Sequence, residues 1–300
     1  MTNQKLALIY GLCTVLLWST VATAFKISLG ILSPLQLVTG ASFVSLLVLL
    51  LGVSAKGHLS HVVSAIRNRP AFYLALGAIN PAAYYLALFA GYDRLPAQIA
   101  APVNYSWAVL LPLLAAPILK QALTRWQVLG CAIGYAGVTL IATRGRLDGL
   151  DTVDPIGLGL ILFSAVLWCL YWILNTGNKE DPIVSLLCCT LCSVPLLLVL
   201  NVIHGELPTL TWGAVAGAAY VGLFEMGITS MLWLKALKTA KHTSQVSSLV
   251  FLSPVCSILL IGTVLGETIH PTVYPGMALI LAGMVVTQWA ERKQPQPTVA

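Results

Sequence analysis

The sequence predicts an all-α integral membrane protein with ten transmembrane helices, arranged as two inverted repeats of five helices with both termini in the cytoplasm. The first observation behind this fold class is composition. Of the 300 residues 58% are hydrophobic and 9% are charged, against about 25% charged in a soluble domain. The second is a series of long apolar segments with short connections, and the third is the distribution of basic residues. Lipid is therefore the expected solvent for most of the chain.

Ten apolar segments are long enough to cross a bilayer, which takes about 20 residues in a helix. Several begin at or just after a proline, which suits the first turn of a helix because no backbone donor is needed there. In chain order the predicted spans are residues 6–28, 34–55, 71–92, 96–119, 126–142, 155–175, 182–203, 212–234, 243–265 and 271–289.

The basic residues predict the orientation. If both termini lie on one side, only Lys26, Arg94, Arg144 and Arg146 of the 16 Lys and Arg residues fall on the other side. Because an excess of Lys and Arg marks the cytoplasmic side, we expect both termini to be cytoplasmic, with residues 292–300 as a disordered tail. The net charge is +6. Because the basic residues are scattered between apolar segments and form no basic face, they argue against nucleic-acid binding.

An internal repeat accompanies these spans. Two glycines of the fifth predicted span, Gly130 and Gly137, recur in the tenth at a constant offset of 146. Two halves with five spans each must cross the membrane in opposite directions, which is a transporter architecture with its binding site near the midplane. We therefore predict a first repeat over residues 1–145 and a second over residues 146–291.

Two short motifs carry a family resemblance. Leu17-Trp18-Ser19-Thr20 lies in the first predicted span, and Val103-Asn104-Tyr105-Ser106-Trp107 lies in the fourth. Together with the five-plus-five arrangement of helices, they resemble the drug/metabolite transporter (DMT) superfamily, EamA family. Within that family the sequence is most similar to YddG-type aromatic amino-acid exporters, and the similarity extends over nearly the whole chain.

The resemblance implies a secondary carrier that exports amino acids or related small metabolites across the inner membrane of a bacterial cell by alternating access. The chain departs from the aromatic exporters at Ala108 and at Phe224-Glu225-Met226-Gly227. Another metabolite or a drug-like solute is therefore an alternative substrate. The sequence contains no nucleotide-binding loop, so a gradient of substrate or of protons is the expected source of energy.

Three tryptophans lie deep within predicted spans: Trp18, Trp107 and Trp168. A buried indole needs a hydrogen-bond partner for its N–H, and hydrocarbon offers none. We therefore expect these residues to line a central cavity, although packing between helices is the alternative. The offset of 150 between Trp18 and Trp168 places them at matching points of the two halves. Four further tryptophans are assigned to the interfacial belts: Trp126, Trp212, Trp233 and Trp289.

Polar and aromatic side chains share helical faces with these tryptophans. Asn104 precedes Trp107 by three residues, and Tyr171 follows Trp168 by three, so each pair shares one face. Such a mixture suits a cavity that orients an amino-acid-like solute. In the third span, Pro81 removes a helical hydrogen bond and predicts a kink. The predicted substrate-binding residues are Trp18, Tyr84, Asn104, Tyr105, Trp107, Trp168, Tyr171 and Ser248.

Glu225 is the only acidic residue in the interior of a predicted span. An ionisable group at that depth costs about 3 kcal/mol unless it is neutralised, paired or hydrated, so it is a functional candidate. We interpret Glu225 as a coupling residue that binds and releases a proton during transport, or that contacts the substrate. The alternative is that its side chain reaches water at a helix break near Gly227.

We expect a transporter and not an enzyme, with no catalytic residues, no cofactor and no metal site. The seven cysteines lie inside apolar segments, where packing is a better explanation than a disulfide framework or a zinc site. His58 and His61 leave an integral membrane enzyme open as an alternative, and a non-transport membrane scaffold is another. The expected partners are a small-molecule substrate, the lipid bilayer and protons, without nucleic acid. The chain is expected to act as a monomer or a homodimer.

Overall fold

The computed structural model describes residues 3–118, 124–146, 153–206, 209–240, 246 and 249–292. Within these ranges the regular secondary structure is helical. In chain order the helices are α1 Gln4–Leu29, α2 Pro34–Ala55, α3 Leu59–Asn68, α4 Pro70–Arg94, α5 Ala97–Ile118, α6 Arg125–Ala142, α7 Pro155–Thr176, α8 Pro182–His204, α9 Trp212–Leu237, α10 Leu252–Val264 and α11 Val273–Arg292.

Eight of these helices contain a stretch long and apolar enough to cross a membrane: α1, α2, α4, α5, α7, α8, α9 and α11. The fifth predicted span corresponds to α6 and the described end of the ninth corresponds to α10, and neither belongs to the eight. The count of ten spans therefore stays a prediction. Of the predicted tail, Arg292 ends α11, and residues 293–300 lie outside the described part of the chain.

The starts of several helices follow from their first residues. The Ser33 hydroxyl accepts a hydrogen bond from the Gln36 backbone N–H, and the Gln36 side chain accepts one from the Ser33 backbone, which caps α2. Asp154 and Asp181 are the N-caps of α7 and α8, and a proline follows each of them. Such caps satisfy backbone donors that the first helical turn leaves without a partner. The predicted starts of these three helices at prolines are confirmed.

Two of the long helices are broken near their middle by a short π-helical turn. In α4 the turn is Ala78–Ala83, where Asn80 has the non-helical angles φ −142° and ψ 120° and the Asn80–Pro81 peptide bond is cis. In α9 the turn is Gly222–Gly227, and it ends at Gly227 with φ −111° and ψ −94°. The kink predicted at Pro81 is present. The second break lies 144 residues after the first, so the two halves are interrupted at equivalent positions.

Helices α6 and α11 approach each other through glycines. A Cβ on Gly130 would lie 2.8 Å from the Gly283 carbonyl oxygen, and a Cβ on Gly276 would lie 2.9 Å from the Gly137 carbonyl oxygen. At the offset of 146, Gly276 corresponds to Gly130 and Gly283 to Gly137. The repeat therefore converts the Gly130–Gly283 contact into the Gly276–Gly137 contact. This reciprocal pattern is the one that a two-fold axis between two antiparallel helices produces.

A second reciprocal contact lies where the two helix breaks begin. A Cβ on Gly77 would lie 2.5 Å from the Cys189 carbonyl oxygen of α8, and a Cβ on Gly222 would lie 2.5 Å from the Ala41 carbonyl oxygen of α2. Helix α4 of the first half thus packs on α8 of the second, and α9 of the second half packs on α2 of the first. Each broken helix is held against the other half of the chain.

We expect Gly137→Ala to reduce the stability of the folded protein by about 1–3 kcal/mol, because the added Cβ would press on the Gly276 carbonyl oxygen and on Ile280. Gly159→Ala in α7 is the matched control, since a Cβ there meets no atom within 4 Å. The control should be neutral or slightly stabilising, because alanine favours a helix more than glycine does. Thermal midpoints in detergent measure both variants, and equal midpoints would contradict the close packing of α6 on α11.

Candidate functional site

A cavity lies between the first and second halves of the chain, lined by residues of α1, α2, α4, α7, α8 and α9. Its volume is about 70 Å³, which is room for a few water molecules. Both helix breaks reach it, since Asn80 and Pro81 belong to the first and Met226 to the second. The aromatic residues of its wall are Trp18, Tyr85, Trp168, Tyr171, Trp172 and Trp233.

Trp168 of α7 is the centre of this aromatic wall. Its ring centroid lies 4.8 Å from that of Tyr84 and 6.2 Å from that of Trp107, and both of these rings belong to the first half of the chain. Within α7 it lies 6.3 Å from Tyr171 and 5.7 Å from Trp172. The Trp168 indole therefore contacts aromatic side chains of α4, α5 and α7, and these contacts hold it in place.

Trp18 of α1 contacts Trp233 of α9 on the other side of the cavity, with their ring centroids 5.5 Å apart. Trp233, which the sequence assigns to an interfacial belt, thus faces the protein interior, where it packs against Trp18 and lines the cavity. By contrast, Trp212 at the start of α9 is 91% exposed on the protein surface, as an interfacial residue should be.

Several polar atoms at the cavity are buried without a hydrogen-bond partner among the described residues. They are the Asn80 Oδ1, the Trp168 Nε1 and the Tyr171 hydroxyl, and the last of these lies beside the Asn80 side chain and Cys189. Each of these three side chains lines the cavity. A buried donor or acceptor without a partner costs about 1–3 kcal/mol, and in proteins such groups are usually satisfied by water or by a ligand. The cavity therefore presents acceptor and donor groups to whatever occupies it.

Glu225 lies inside the break of α9, next to the cavity residue Met226. Its Oε1 accepts a hydrogen bond of 3.0 Å from the Tyr85 hydroxyl of α4, so the carboxylate joins the two broken helices. Its Oε2 is buried and has no partner in the part of the chain that the structure describes. The helix break considered as an alternative for this residue is present, and the side chain lies within it.

Hydroxyl groups satisfy backbone carbonyls that the break in α9 releases. The Ser45 hydroxyl of α2 donates to the Met226 carbonyl at 3.0 Å, and the Thr229 hydroxyl donates to the Phe224 carbonyl. The Ser230 hydroxyl lies 3.4 Å from the Glu225 carbonyl. Irregular backbone at membrane depth is tolerated where protein groups or a water-filled cavity provide such partners. The break is thus supported by the residues around it.

Helix α5 supplies a second layer behind the cavity wall. The Tyr105 hydroxyl is 2.7 Å from the Ser253 hydroxyl of α10, and Ser253 in turn lies 3.5 Å from the Ser19 hydroxyl of α1. The Asn104 side chain lies near the Tyr84 hydroxyl, and its Oδ1 is buried without a hydrogen-bond partner among the described residues. These groups do not line the cavity themselves. They lie behind the aromatic residues of its wall.

Of the predicted substrate-binding residues, Trp18, Trp168 and Tyr171 line the cavity. Tyr84, Asn104, Tyr105 and Trp107 lie in the layer behind it, and Ser248 is outside the described residues. Sequence reasoning did not assign five residues of the cavity wall to the binding site: Ser45, Tyr85, Trp172, Ser230 and Trp233.

One face of the molecule, which we call the Lys26 face, is closed by contacts around the end of α4. The Lys26 ammonium donates to the carbonyl oxygens of Tyr92 at 2.7 Å and of Leu95 at 2.9 Å. Cations are favoured at helix carboxyl ends, where backbone carbonyls lack partners. Arg94 pairs with Asp154 at 3.0 Å, and this hydrogen bond holds the pKa of the Asp154 carboxyl below its usual range.

The Lys26 face also contains contacts between the two halves. Both oxygens of the Glu267 carboxylate accept backbone hydrogen bonds at the start of α5, from Ala97 at 2.9 Å and from Gln98 at 3.1 Å. The Ser33 hydroxyl at the start of α2 donates to the Glu206 carboxylate that follows α8. A carboxylate at a helix amino end satisfies free backbone donors and the helix dipole, so Glu267 holds the two halves together there.

Comparison with known proteins identifies relatives over most of the chain. The profile of the EamA-like transporter family matches residues 5–143 and 155–289, one match in each half. The chain is similar to a solved crystal structure at a TM-score of 0.64 and 21% sequence identity, covering 98% of this chain and 100% of that one. This structural likeness concerns the fold.

Three relatives are similar in sequence. The uncharacterized transporter YyaM of Bacillus subtilis is 26% identical, with 74% of each chain covered. A protein of Streptantibioticus cattleyicolor named "Probable terminal-alkyne amino-acid exporter" is 27% identical over 70% of each chain. An uncharacterized protein of Pseudomonas aeruginosa is 30% identical over 74% of this chain and 78% of its own.

Proposed function

Because this chain belongs to the EamA-like transporter family, we propose that it is a secondary carrier that exports small metabolites by alternating access. The protein is a multi-pass membrane protein, and its described residues include eight helices that are apolar and long enough to cross a bilayer. The observation that carries the proposal is the aromatic cavity between the two halves, with its unpartnered polar atoms. Sites of this kind occur in transporters built from inverted repeats, at the broken helices near the midplane.

The proposed substrates are amino acids or related compounds. Apolar or planar side chains of a solute would stack on Trp168 and Trp18, while amide and hydroxyl groups such as Asn80 and Tyr171 would bind its polar end. The name of the Streptantibioticus cattleyicolor relative supports this class. The aromatic surfaces support stacking as the source of affinity, because flat rings lose little conformational freedom when they bind a planar group.

Alternating access requires two halves that can move against each other, so that the site opens first to one side of the membrane and then to the other. The reciprocal glycine contacts, Gly130 with Gly283 and Gly137 with Gly276, support two inverted repeats of five helices each. We propose an N-in and C-in orientation in the inner membrane of a bacterial cell, with the Lys26 face outside. Support for this orientation is the small number of Lys and Arg residues assigned to that face.

The proposed state of this structure is closed on the Lys26 face and accessible from the opposite, cytoplasmic face. The cavity includes Pro182 and Leu186 in the first turns of α8, close to the predicted cytoplasmic end of that helix. On the Lys26 face, Glu267 and the Arg94–Asp154 pair join the halves. Export would then proceed by breaking these contacts after the solute has bound from the cytoplasm.

Glu267→Ala is expected to open the Lys26 face more often, because it removes the acceptor of the Ala97 and Gln98 backbone N–H groups. The reporter is Thr190→Cys in the cavity wall, in a chain without its native cysteines. We expect a membrane-impermeant maleimide added outside the cell to label this cysteine several-fold faster in the Glu267→Ala variant.

Glu180→Ala is the matched control for this experiment. Glu180 lies before α8 on the opposite side from the Lys26 face, and its backbone N–H donates to Asn178 Oδ1. The same loss of a carboxylate there should leave outside labelling unchanged. If both variants label at the rate of the parent, Glu267 does not hold the face closed.

The function is tested by counterflow in proteoliposomes that contain the purified protein and a panel of labelled amino acids. Saturable exchange of at least one amino acid supports the proposed carrier. Folded protein that exchanges none of them contradicts the amino-acid class, and the panel is then extended to other small metabolites. The loss of exchange in cavity variants links the activity to the site.

A further inference from the structure

A second cavity, of about 110 Å³, lies on the Lys26 face between the two halves. Its wall comes from the start of α5, from the end of α6 and its following turn, and from the connection between α10 and α11. The lining residues on which the inference depends are Gln98, Ile141, Arg144, Thr268 and His270. This cavity is separate from the aromatic cavity, and the two share no lining residue.

Arg144 is the charged residue in the wall of this second cavity. Its Nε is buried and has no hydrogen-bond acceptor among the residues described. A guanidinium carries a positive charge and five N–H donors and has no acceptor of its own. Arg144 also has a φ of 50°, in the left-handed region that is unfavourable for residues with a Cβ. A conformation of this kind persists where the surrounding structure holds it.

The wall opposite Arg144 is organised by hydrogen bonds of Gln98. The Gln98 Oε1 accepts from the His270 backbone N–H at 2.7 Å, and the Gln98 Nε2 donates to the Thr268 carbonyl at 3.0 Å. The His270 Nδ1 is 2.8 Å from the Thr272 hydroxyl, which fixes the ring. These hydrogen bonds restrain the side chains before a ligand binds, which reduces the entropy lost on binding.

Among the residues that the structure describes, the acidic side chain next to this wall, Glu267, is already engaged. Glu267 lies directly before Thr268, and both of its carboxylate oxygens accept backbone hydrogen bonds from Ala97 and Gln98. Its charge is therefore used at the start of α5, and it forms no ion pair with Arg144 among the described residues. The cavity retains a cationic group with an unsatisfied donor and rigid polar walls.

We propose that the second cavity is a binding site for a small carboxylate, held by Arg144. A carboxylate matches the planar fork of a guanidinium and forms shorter, stronger hydrogen bonds with it than a neutral acceptor does. The carboxylate comes from a free monocarboxylate or from an amino acid, which share this chemistry. The proposal does not rest on the direction or the substrate of transport proposed above.

The test uses the purified full chain in detergent and [¹³C]acetate as the probe, with line broadening in the NMR spectrum as the readout. We expect saturable broadening with the wild-type protein, at least fivefold weaker with Arg144→Gln, and unchanged with Arg146→Gln. Arg146 is exposed and lies two residues further along, so its variant is matched in charge and in location. A titration with sodium chloride at the same ionic strength controls for screening.

A second variant keeps the charge and blocks the cavity. Thr268 is an exposed residue of the cavity wall, and Thr268→Phe places a ring there without altering Arg144. We expect it to reduce acetate broadening as Arg144→Gln does, with an unchanged elution profile. Competition by unlabelled glycine identifies amino acids as a source of the carboxylate, and the absence of competition identifies free monocarboxylates.

Three results would overturn the proposal. They are no saturable broadening of acetate with the wild-type protein, the same broadening with Arg144→Gln as with the wild type, or displacement of acetate by chloride as effective as displacement by unlabelled acetate. The first would mean that the cavity holds water only. None of these results depends on a transport assay, so a failed counterflow experiment and a failed acetate titration remain distinguishable.

Discussion

Trp168→Ala is expected to reduce solute exchange in proteoliposomes at least tenfold. The substitution removes the ring that joins Tyr84 and Trp107 of the first half to Tyr171 of the second. Aromatic pairs contribute about 0.5–1.5 kcal/mol each beyond their buried area, and about 1.4 kcal/mol corresponds to a factor of ten. The loss of a stacking surface for the solute, together with the displacement of the rings that Trp168 holds in place, is therefore expected to lower exchange by about one order of magnitude or more. The measurement is the initial rate of counterflow at a saturating internal solute concentration.

Trp212→Ala is the matched control, because this tryptophan is 91% exposed at the start of α9 and its loss should leave exchange within about twofold of wild type. Trp168→Phe separates two roles of the indole. It keeps an aromatic surface but removes the Nε1 donor, which has no partner among the described residues. Exchange that recovers in Trp168→Phe indicates stacking, and exchange that stays low indicates a hydrogen bond to the solute. An active Trp168→Ala variant would exclude the cavity as the transport site.

The helix boundaries could be predicted from the sequence where a local signal exists. Ser33 and Pro34 define the start of α2, and Asp154 and Asp181 precede prolines at the starts of α7 and α8. The break in α4 was predictable too, since Pro81 removes a helical hydrogen bond. The break in α9 contains no proline. It depends on partners such as the Ser45 hydroxyl of α2, which sequence spacing does not reveal.

The candidate site could be predicted only in part, because some of its residues carry a local sequence signal and others depend on contacts between helices. The position of Trp168 in a deep apolar segment and the shared face of Tyr171 gave residues of the cavity wall. Tyr84 and Tyr85 are adjacent and point to different sides of α4, so Tyr85 lines the cavity while Tyr84 packs behind it against Trp168. Trp233 lies near the end of an apolar segment, which is typical of an interfacial residue, but α1 brings Trp18 against it. Such pairings arise from tertiary packing between halves.

Glu225→Gln is expected to abolish the response of transport to a pH gradient while counterflow without a gradient stays within about threefold of wild type. The amide has the shape of the carboxylate and can still accept the Tyr85 hydrogen bond, but it cannot exchange a proton. A gradient of one pH unit supplies about 1.4 kcal/mol per proton, which corresponds to a tenfold accumulation of solute. The comparison is therefore net uptake with and without a gradient of one unit, in the wild type and in the variant.

Glu180→Gln provides the control for a lost carboxylate outside the cavity, and its response to the gradient should match that of the wild type. The pair of measurements separates the two roles considered for Glu225. If the variant loses both net uptake and counterflow, the carboxylate contacts the substrate and does not serve only as a proton carrier. If the wild type itself ignores the gradient, Glu225 is not a coupling residue. Its bond to Tyr85 would then serve to hold the broken helices α4 and α9 together across the cavity.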